Sequence, residues 1–393
     1  MQDIKLDQKK IRSFRFRTFI KWLKRVLLVV VILLIGLGIF VKFDAPAAAD
    51  ITDNYIRPLI GDQQVIFIEN IFFSISDIAD NIIYKFKAPE SPQFLDQGKN
   101  LITSPELDHT PIIPNESFKP LSGEGIWHNL SSALFPDKEV MATTFIRPDP
   151  QRSYAIVSIV EINTKLLGIN AIAGTKEPGG SLGNPGPGVV PQSVADNNTL
   201  VGAFNGGFLY ADGKYGMVVG DKTYAPLQVD AGTIATYSDG SIKIFNYTGD
   251  NLGTNVVFAR QNGPLILENN DRTTMTPEEY KKVLGRVLHS KKELVRGTYT
   301  WRSGIGINKM GNLLYAAGNN LSPMTLADAL RMAGALSAVQ LDINPSQVHF
   351  YVFNKNSKGT YDSIPLNKEL QSLNHPARYF NGSSRDFFYL YKK

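Results

Sequence analysis

The sequence predicts an α+β protein, in which a strand-rich domain with a mixed sheet and a few packing helices follows an N-terminal transmembrane helix and a helical stalk. Three observations point to this fold class. Short β-like runs recur after residue 123, amphipathic helical stretches are few, and one long apolar segment lies near the N-terminus. The 393 residues, 43% of them apolar, are enough for two or three structural units at ~100–200 residues each.

Positive charge is concentrated at the N-terminus. Residues 1–42 carry a net charge of +8, whereas the whole chain carries +5, so residues 43–393 carry −3. The body of the protein therefore lacks the electrostatic support that nucleic-acid binding needs. The chain has no cysteine, which excludes a disulfide scaffold, a thiolate zinc site and a cysteine nucleophile.

The N-terminal segment has the features of a membrane anchor. Residues 1–25 form a basic cytoplasmic tail and residues 26–41 carry no charge, so we expect a transmembrane anchor over residues 26–43. Because the positive charge precedes the apolar segment, a single-pass cell-membrane protein with an extracytoplasmic C-terminal domain is predicted. A cleaved signal peptide, with a site among the alanines at 47–49, is the alternative.

Two segments connect the expected anchor to the main domain. Isoleucines recur at three- and four-residue spacing up to residue 83, which predicts a juxtamembrane helical segment over residues 50–87. This helix is interpreted as a stalk or packing helix, and a membrane-surface or oligomerising helix is the alternative. Residues 88–122 contain six prolines and little periodicity, which favours an extended linker.

The main domain, residues 123–393, has local patterns typical of hairpins and short helices. Turn residues predict hairpins over 232–247 and 304–316. Helical patterns cover 277–294 and 325–336, and a buried strand is predicted directly after the second of them.

A glycine-rich segment at 174–188 contains six glycines and three prolines. It lacks the spacing and the lysine of a nucleotide-binding loop, so we interpret it as a mobile surface loop or, alternatively, a lid over a site. The five histidines form no metal-ligand pair, and no zinc-protease or serine-hydrolase motif is present. No metal and no cofactor is expected.

Polar residues follow several predicted strands. Residues 205–208 (Asn-Gly-Gly-Phe) close one apolar strand, and residues 260–262 (Arg-Gln-Asn) close another. Arg302 stands at the entry of a third strand. Asp342 ends a buried strand, where an ionised carboxylate needs a partner or a function.

Taken in order, these elements resemble the phosphodiester glycosidase domain family, which includes the N-acetylglucosamine-1-phosphodiester alpha-N-acetylglucosaminidase or uncovering-enzyme type and bacterial relatives. The resemblance covers roughly residues 123–393 and rests on residues 123–127, 145–149, 203–208, 260–262, 302–306 and 341–342. One departure is clear: the family's Leu-Asp-Gly-Gly is here Leu341-Asp342-Ile343-Asn344.

Together with the expected N-terminal anchor, the resemblance implies a membrane-anchored extracytoplasmic hydrolase that cleaves a sugar-1-phosphodiester in an envelope glycan or sugar-phosphate polymer. Its implied partners are that carbohydrate substrate and the membrane, without nucleic acid, and the oligomeric state stays open. The departure at 343–344 keeps open a non-catalytic glycan-binding or envelope-structural protein on the same fold. A tethered scaffold that assembles through residues 50–87 is a third possibility.

The resemblance also implies roles for individual residues. Asp342 is the expected base or charge stabiliser near the anomeric carbon, with Glu124 as a second carboxylate. Arg260 and Arg302 are expected to bind the phosphate. The expected substrate-positioning residues are Asn205, Gly206, Gly207, Phe208, Gln261, Asn262 and Asn344.

Overall fold

A computed structural model describes residues 51–94, 103–273, 299–371 and 377–393. The chain divides into two compact units, 1–59 and 60–393. The described part of the first unit is helical, with a π-helical turn at Thr52–Ile56 that leads into a short α-helix at Arg57–Ile60.

The second unit is built mainly from short strands. They are β1 (His128–Asn129), β2 (Met141–Ile146), β3 (Val157–Ile162), β4 (Leu167–Ile172), β5 (Leu200–Asn205), β6 (Met217–Val219), β7 (Lys222–Ala225), β8 (Gly232–Tyr237), β9 (Ile242–Asn246), β10 (Val256–Gln261), β11 (Leu265–Glu268), β12 (Asp271–Arg272), β13 (Thr300–Asn308), β14 (Leu313–Leu321), β15 (Ala335–Gln340), β16 (Phe350–Lys355), β17 (Tyr361–Pro365) and β18 (Phe387–Lys392).

Few helices accompany these strands. They are α-helices at Asp62–Ile83, Gln192–Asp196, Tyr210–Gly213, Pro323–Met332, Lys368–Gln371 and Arg378–Asn381, and a 3-10 turn at Gly180–Leu182.

The strands form three sheets. Their orders are β1-β2-β3-β14-β13-β15-β11-β12, β7-β6-β10-β8-β9 and β17-β16-β5-β18-β4. In the described ranges every strand pairing is antiparallel. The prediction of a mixed sheet is therefore wrong.

The reason for this difference is the position of β13. A strand, a helix and a second strand follow one another at β14, Pro323–Met332 and β15, which is the order of a parallel crossover unit. However, β13 lies between β14 and β15 and pairs antiparallel with both. The helix covers the face of this three-strand group, where Leu326 and Leu330 are fully buried.

The expected single-pass membrane topology is also contradicted. None of the helices in the described ranges is long and apolar enough to cross a membrane. The segment expected to form the anchor, 26–43, and its basic tail, 1–25, lie outside the described residues, as does the whole of the helix expected at 277–294.

The segments expected to form a stalk and a linker both contact the strand-rich body. The helix Asp62–Ile83 is held there by Asp77, whose carboxylate accepts hydrogen bonds from Arg152 Nε at 2.8 Å and Tyr154 Oη at 3.0 Å. In the proline-rich segment Leu107 is buried, and the Ile112 amide donates to a body carbonyl at 2.9 Å.

Aromatic side chains join two of the sheets beneath the candidate site. Phe204 of β5 packs on Phe388 of β18 and Tyr315 of β14, with ring centroids 5.2 and 5.1 Å apart. Tyr315 is fully buried, and its hydroxyl donates to Asn205 Oδ1 at 2.9 Å. This contact fixes the end of β5 against the largest sheet.

Candidate active site

Strand ends from all three sheets meet at one place. Asn205 ends β5, Gln261 ends β10 and Gln340 ends β15, while Asp386 directly precedes β18. Asn205 pairs with Phe387 across β5 and β18, which brings residue 386 beside the Gly206-Gly207 turn. Residues far apart in the chain therefore form one polar cluster.

Asn205 and Asp342 are linked through Ser303. Asn205 Nδ2 donates to Ser303 Oγ at 2.8 Å, and Ser303 Oγ donates to the carbonyl oxygen of Asp342 at 2.9 Å. The Asp342 amide in turn donates to the Gly206 carbonyl at 3.0 Å. The structure thus brings together Asp342, Asn205 and Gly206, three residues that the sequence singled out.

The cation beside Asp342 is Arg385. Its Nη2 hydrogen-bonds Asp342 Oδ2 and also donates to the Gly207 carbonyl at 3.2 Å. Burial raises the pKa of Asp342, although the Arg385 charge opposes that shift. Arg385 Nε is buried and has no hydrogen-bond partner among the described residues. A buried guanidinium with an unused donor can bind an anion.

Arg260 has a different environment. It is fully buried, and its Nε and Nη2 donate to Asp386 at 2.8 and 3.2 Å. Its remaining donors go to the carbonyls of Phe208, Tyr215 and Gln261. Since a guanidinium has five N–H donors, all of them are used within the protein. Arg260 holds the glycine turn in place and has no donor left for a phosphate.

The absence of side chains at 206 and 207 permits this packing. A Cβ on Gly206 would lie 2.1 Å from Asp386 Oδ2, and one on Gly207 would lie 2.7 Å from Arg260 Nη2. The Gly207 amide donates to Asp386 Oδ2 at 3.1 Å. The two glycines therefore let the backbone approach the Arg260–Asp386 ion pair directly.

Gly206→Ala is expected to lower the free energy of unfolding by about 1–3 kcal/mol, because the added methyl overlaps both the side chain and the carbonyl oxygen of Asp386. Urea denaturation measures the loss. The control is Gly180→Ala, where the nearest atom to the added methyl is 3.3 Å away. An equal loss in the two variants would contradict the assigned packing.

Asn262 supports the same turn from the second sheet. Its Oδ1 accepts the Phe208 amide at 2.7 Å, and its Nδ2 donates to the Gln340 carbonyl at 2.7 Å. Phe208 packs against Tyr215, with ring centroids 6.2 Å apart. Asn262 thus connects the glycine turn to the end of β15.

Gln261 and Asn344 also stabilise loops near the cluster. Gln261 Oε1 accepts the amides of Gly216 at 3.1 Å and Gln228 at 2.6 Å. Asn344 donates its amide to Asp342 Oδ1 at 3.0 Å, and its Oδ1 accepts the Ser346 amide at 2.9 Å. The turn at Asn344 therefore helps to orient the Asp342 carboxylate.

Arg302, which the sequence analysis expected to bind the phosphate, is held by other contacts. Arg302 Nε donates to the Leu321 carbonyl at 2.7 Å and Nη1 donates to Gln340 Oε1 at 3.0 Å. Ser303 faces Asn205, and neighbouring side chains of a strand point to opposite faces, so Arg302 points away from Asn205. The structure therefore places Arg385 beside Asp342, where the sequence suggested Arg302.

Glu124 forms a buried ion pair with Arg147, with Oε2 and Nη2 2.7 Å apart. Its carboxylate also accepts the Arg147 amide at 3.1 Å and the Leu121 amide at 2.9 Å. These contacts stabilise the chain that leads into and out of β2. The described hydrogen bonds of Glu124 do not include one to the Asp342 cluster.

Sequence reasoning missed Glu177, a second carboxylate near the cluster. It lies in the glycine-rich segment 174–188, which backbone hydrogen bonds fix to the residues before Arg385: Thr175 N donates to Ser383 O and Glu177 N donates to Ser384 O, each at 2.9 Å. Glu177 Oε2 accepts the Tyr210 amide at 2.8 Å.

The charge environment links Glu177 to the same site. Burial raises its pKa, the Asp386 charge adds to that rise, and the Arg385 charge opposes it. Asp342 and Glu177 therefore both sit within the electrostatic reach of Arg385. In the described ranges no group of three or more acidic or histidine side chains is placed to hold a metal ion.

No protein-family model matches the chain, and no curated protein matches it. Solved structures resemble it distantly. The catalytic domain of zebrafish N-acetylglucosamine-1-phosphodiester alpha-N-acetylglucosaminidase, auto-inhibited by its pro-peptide, is 14% identical with a TM-score of 0.39 and covers 77% of this chain and 100% of its own.

Two further structures resemble the chain at lower scores. A Synechocystis protein is 12% identical with a TM-score of 0.35 and covers 61% of this chain and 59% of its own. A protein of Burkholderia pseudomallei K96243 is 12% identical with a TM-score of 0.32 and covers 60% of this chain and 74% of its own.

Proposed function

We propose that the protein hydrolyses a sugar-1-phosphodiester, breaking the bond between the anomeric carbon and the phosphodiester oxygen. The observation that carries this proposal is the buried Asp342–Arg385 pair beside the Gly206-Gly207 turn, in which Arg385 Nε has no partner among the described residues. The ordered sequence elements that resemble phosphodiester glycosidases support it.

In the proposed reaction, Arg385 binds the phosphate and Asp342 acts at the sugar. The bond between C1 and the phosphodiester oxygen breaks, and the electron pair stays with the departing phosphate monoester. Positive charge develops at C1, and the Asp342 carboxylate stabilises it. Water adds to C1 and loses one proton to a carboxylate. Arg385 stabilises the charge that grows on the leaving group, where a preorganised cation in a dry site is most effective.

Glu177 is proposed as the second carboxylate. A carboxyl group with a raised pKa keeps its proton at higher pH, and such a group can donate it to the departing oxygen. Glu177 belongs to the glycine-rich segment, and its amide is hydrogen-bonded to the carbonyl of Ser384, the residue before Arg385. This role was assigned from the sequence to Glu124, which instead pairs with Arg147.

Glu177→Gln is expected to lower kcat/KM by about 10²-fold at neutral pH, the lower end for loss of a general acid, because phosphate is already a good leaving group. The substitution is also expected to change how kcat/KM depends on pH. Activity rises with pH as Asp342 ionises and falls as Glu177 loses its proton, so the variant keeps the acid limb and loses the alkaline one.

The matched control for this prediction is Glu124→Gln. It weakens the buried pair with Arg147 and lowers the unfolding temperature, but both limbs of its pH profile remain. A Glu177→Gln profile that still has its alkaline limb would remove Glu177 from the reaction.

The proposal as a whole is tested with the full chain and a chromogenic sugar-1-phosphodiester. Release of free sugar and phosphate monoester in equal amounts is the expected result. Saturable binding of the same compound without turnover, measured by calorimetry, would overturn the hydrolase proposal in favour of a glycan-binding protein. If neither turnover nor binding is detected, the hydrolase proposal and the glycan-binding alternative are both overturned.

A further inference from the structure

The helix Asp62–Ile83 has a stripe of exposed isoleucines. Its members are Ile68, Ile71, Ile75, Ile78 and Ile82, and each has between 44% and 59% of its surface exposed. Isolated apolar residues on a surface are ordinary, but a continuous row of five is not. The row extends for about 21 Å along the helix at 1.5 Å per residue.

The spacing of the stripe is that of a coiled-coil seam. The intervals are three, four, three and four residues, so Ile68, Ile75 and Ile82 fall at one core position of a heptad and Ile71 and Ile78 at the other. A row with this repeat is complementary to a copy of itself. Isoleucine at both core positions favours assemblies of three or four helices over two.

A different side of the helix contacts the protein's own domain near the helix C-terminus. Asp77 pairs with Arg152 at 2.8 Å, and Asp80 accepts a hydrogen bond from Asn320 at 3.1 Å. The ring of Tyr84, directly after the helix, stacks on Tyr154 with centroids 5.1 Å apart. The helix is thus fixed by one side, and the isoleucine stripe is presented on another.

The charged residues of this helix argue against a lipid surface as the binding partner of the stripe. Interfacial helices that bind membranes carry Lys and Arg beside their apolar face, which attract anionic lipids. Residues 62–83 contain four acidic residues and no Lys or Arg. Without cationic side chains the helix lacks the attraction to anionic lipids that interfacial helices use, so the stripe is better suited to another protein helix.

We propose that the isoleucine stripe is a self-association surface, through which the helix Asp62–Ile83 packs against the same helix of further copies of this chain. The assembly places the strand-rich bodies around a shared helical bundle. This surface is separate from the Asp342 cluster, and its proposal is independent of the proposed hydrolysis.

The full chain is expected to be oligomeric by light scattering coupled to size exclusion, with three or four copies. Ile75→Lys combined with Ile78→Lys is expected to give a monomer, because charges in the seam cannot be buried without partners. The matched control is Ile83→Lys, at a position next to the stripe with 50% exposure, which keeps the oligomer. A monomeric wild type, or an oligomer that survives the double substitution, would overturn the proposal.

A second measurement does not depend on lysine substitutions. Because the chain has no cysteine, Ile75→Cys introduces a single thiol at the centre of the stripe, where parallel and antiparallel partners both bring position 75 together. Oxidation is expected to link this variant into dimers, while Ser76→Cys, one residue away, stays unlinked. No link at 75, or sedimentation with phosphatidylcholine vesicles that Ile75→Lys abolishes, would reject self-association.

Discussion

Asp342→Asn is expected to lower kcat/KM for a sugar-1-phosphodiester by about 10³-fold, the loss associated with removing one preorganised group that stabilises transition-state charge. The amide cannot stabilise positive charge at the anomeric carbon or accept a proton. Its volume matches that of the carboxylate, and its oxygen can still accept the Asn344 amide. The fold is therefore expected to persist, with a lower unfolding temperature because Arg385 loses the charge of its buried partner.

Steady-state kinetics measures the expected loss of activity, and thermal unfolding of the same preparation measures whether the fold persists. The control is Asp328→Asn, which removes a partly exposed charge that pairs with Arg272 at 3.3 Å and has no described contact with the Asp342 cluster. Undiminished turnover in Asp342→Asn would take Asp342 out of the reaction.

Asp386→Ala is expected to produce the largest loss of stability, about 3–5 kcal/mol, because it leaves the Arg260 guanidinium buried without its counter-ion. The side chains of this pair are 0% and 1% exposed, so water cannot replace the carboxylate. The Gly207 amide loses its acceptor in the same variant.

Urea denaturation gives the free energy directly. Asp328→Ala serves as the matched control, since its pair with Arg272 is 24% and 47% exposed and should contribute less than ~1 kcal/mol. Similar losses in the two variants would show that the Arg260–Asp386 pair does not hold the glycine turn.

Local patterns in the sequence predicted local structure well. The turn at Ser238-Asp239-Gly240 indicated a hairpin, and β8 and β9 pair antiparallel on either side of it. Asp342 was selected because a carboxylate at the end of a buried strand needs a partner, and Asn205 because an Asn-Gly-Gly sequence closes an apolar strand. The structure links these two residues through Ser303. Each of these inferences depends on a few neighbouring residues.

Long-range pairing was not predictable in the same way. Whether Arg302 or Arg385 lies beside Asp342 depends on which face of β13 is turned to Asn205 and on how β18 pairs with β5. The only local signal for Arg385 was a polar Ser-Ser-Arg-Asp stretch just before the apolar strand β18. The antiparallel sheet was missed for the same reason, since β13 inserts between two strands that a helix connects.

The most direct test of the proposed chemistry is the fate of oxygen during hydrolysis in water enriched in ¹⁸O. Attack at the anomeric carbon predicts one ¹⁸O atom on the released sugar and none on the phosphate monoester, by mass spectrometry of both products. Label on the phosphate would show attack at phosphorus and contradict the role assigned to Asp342, as would the absence of turnover.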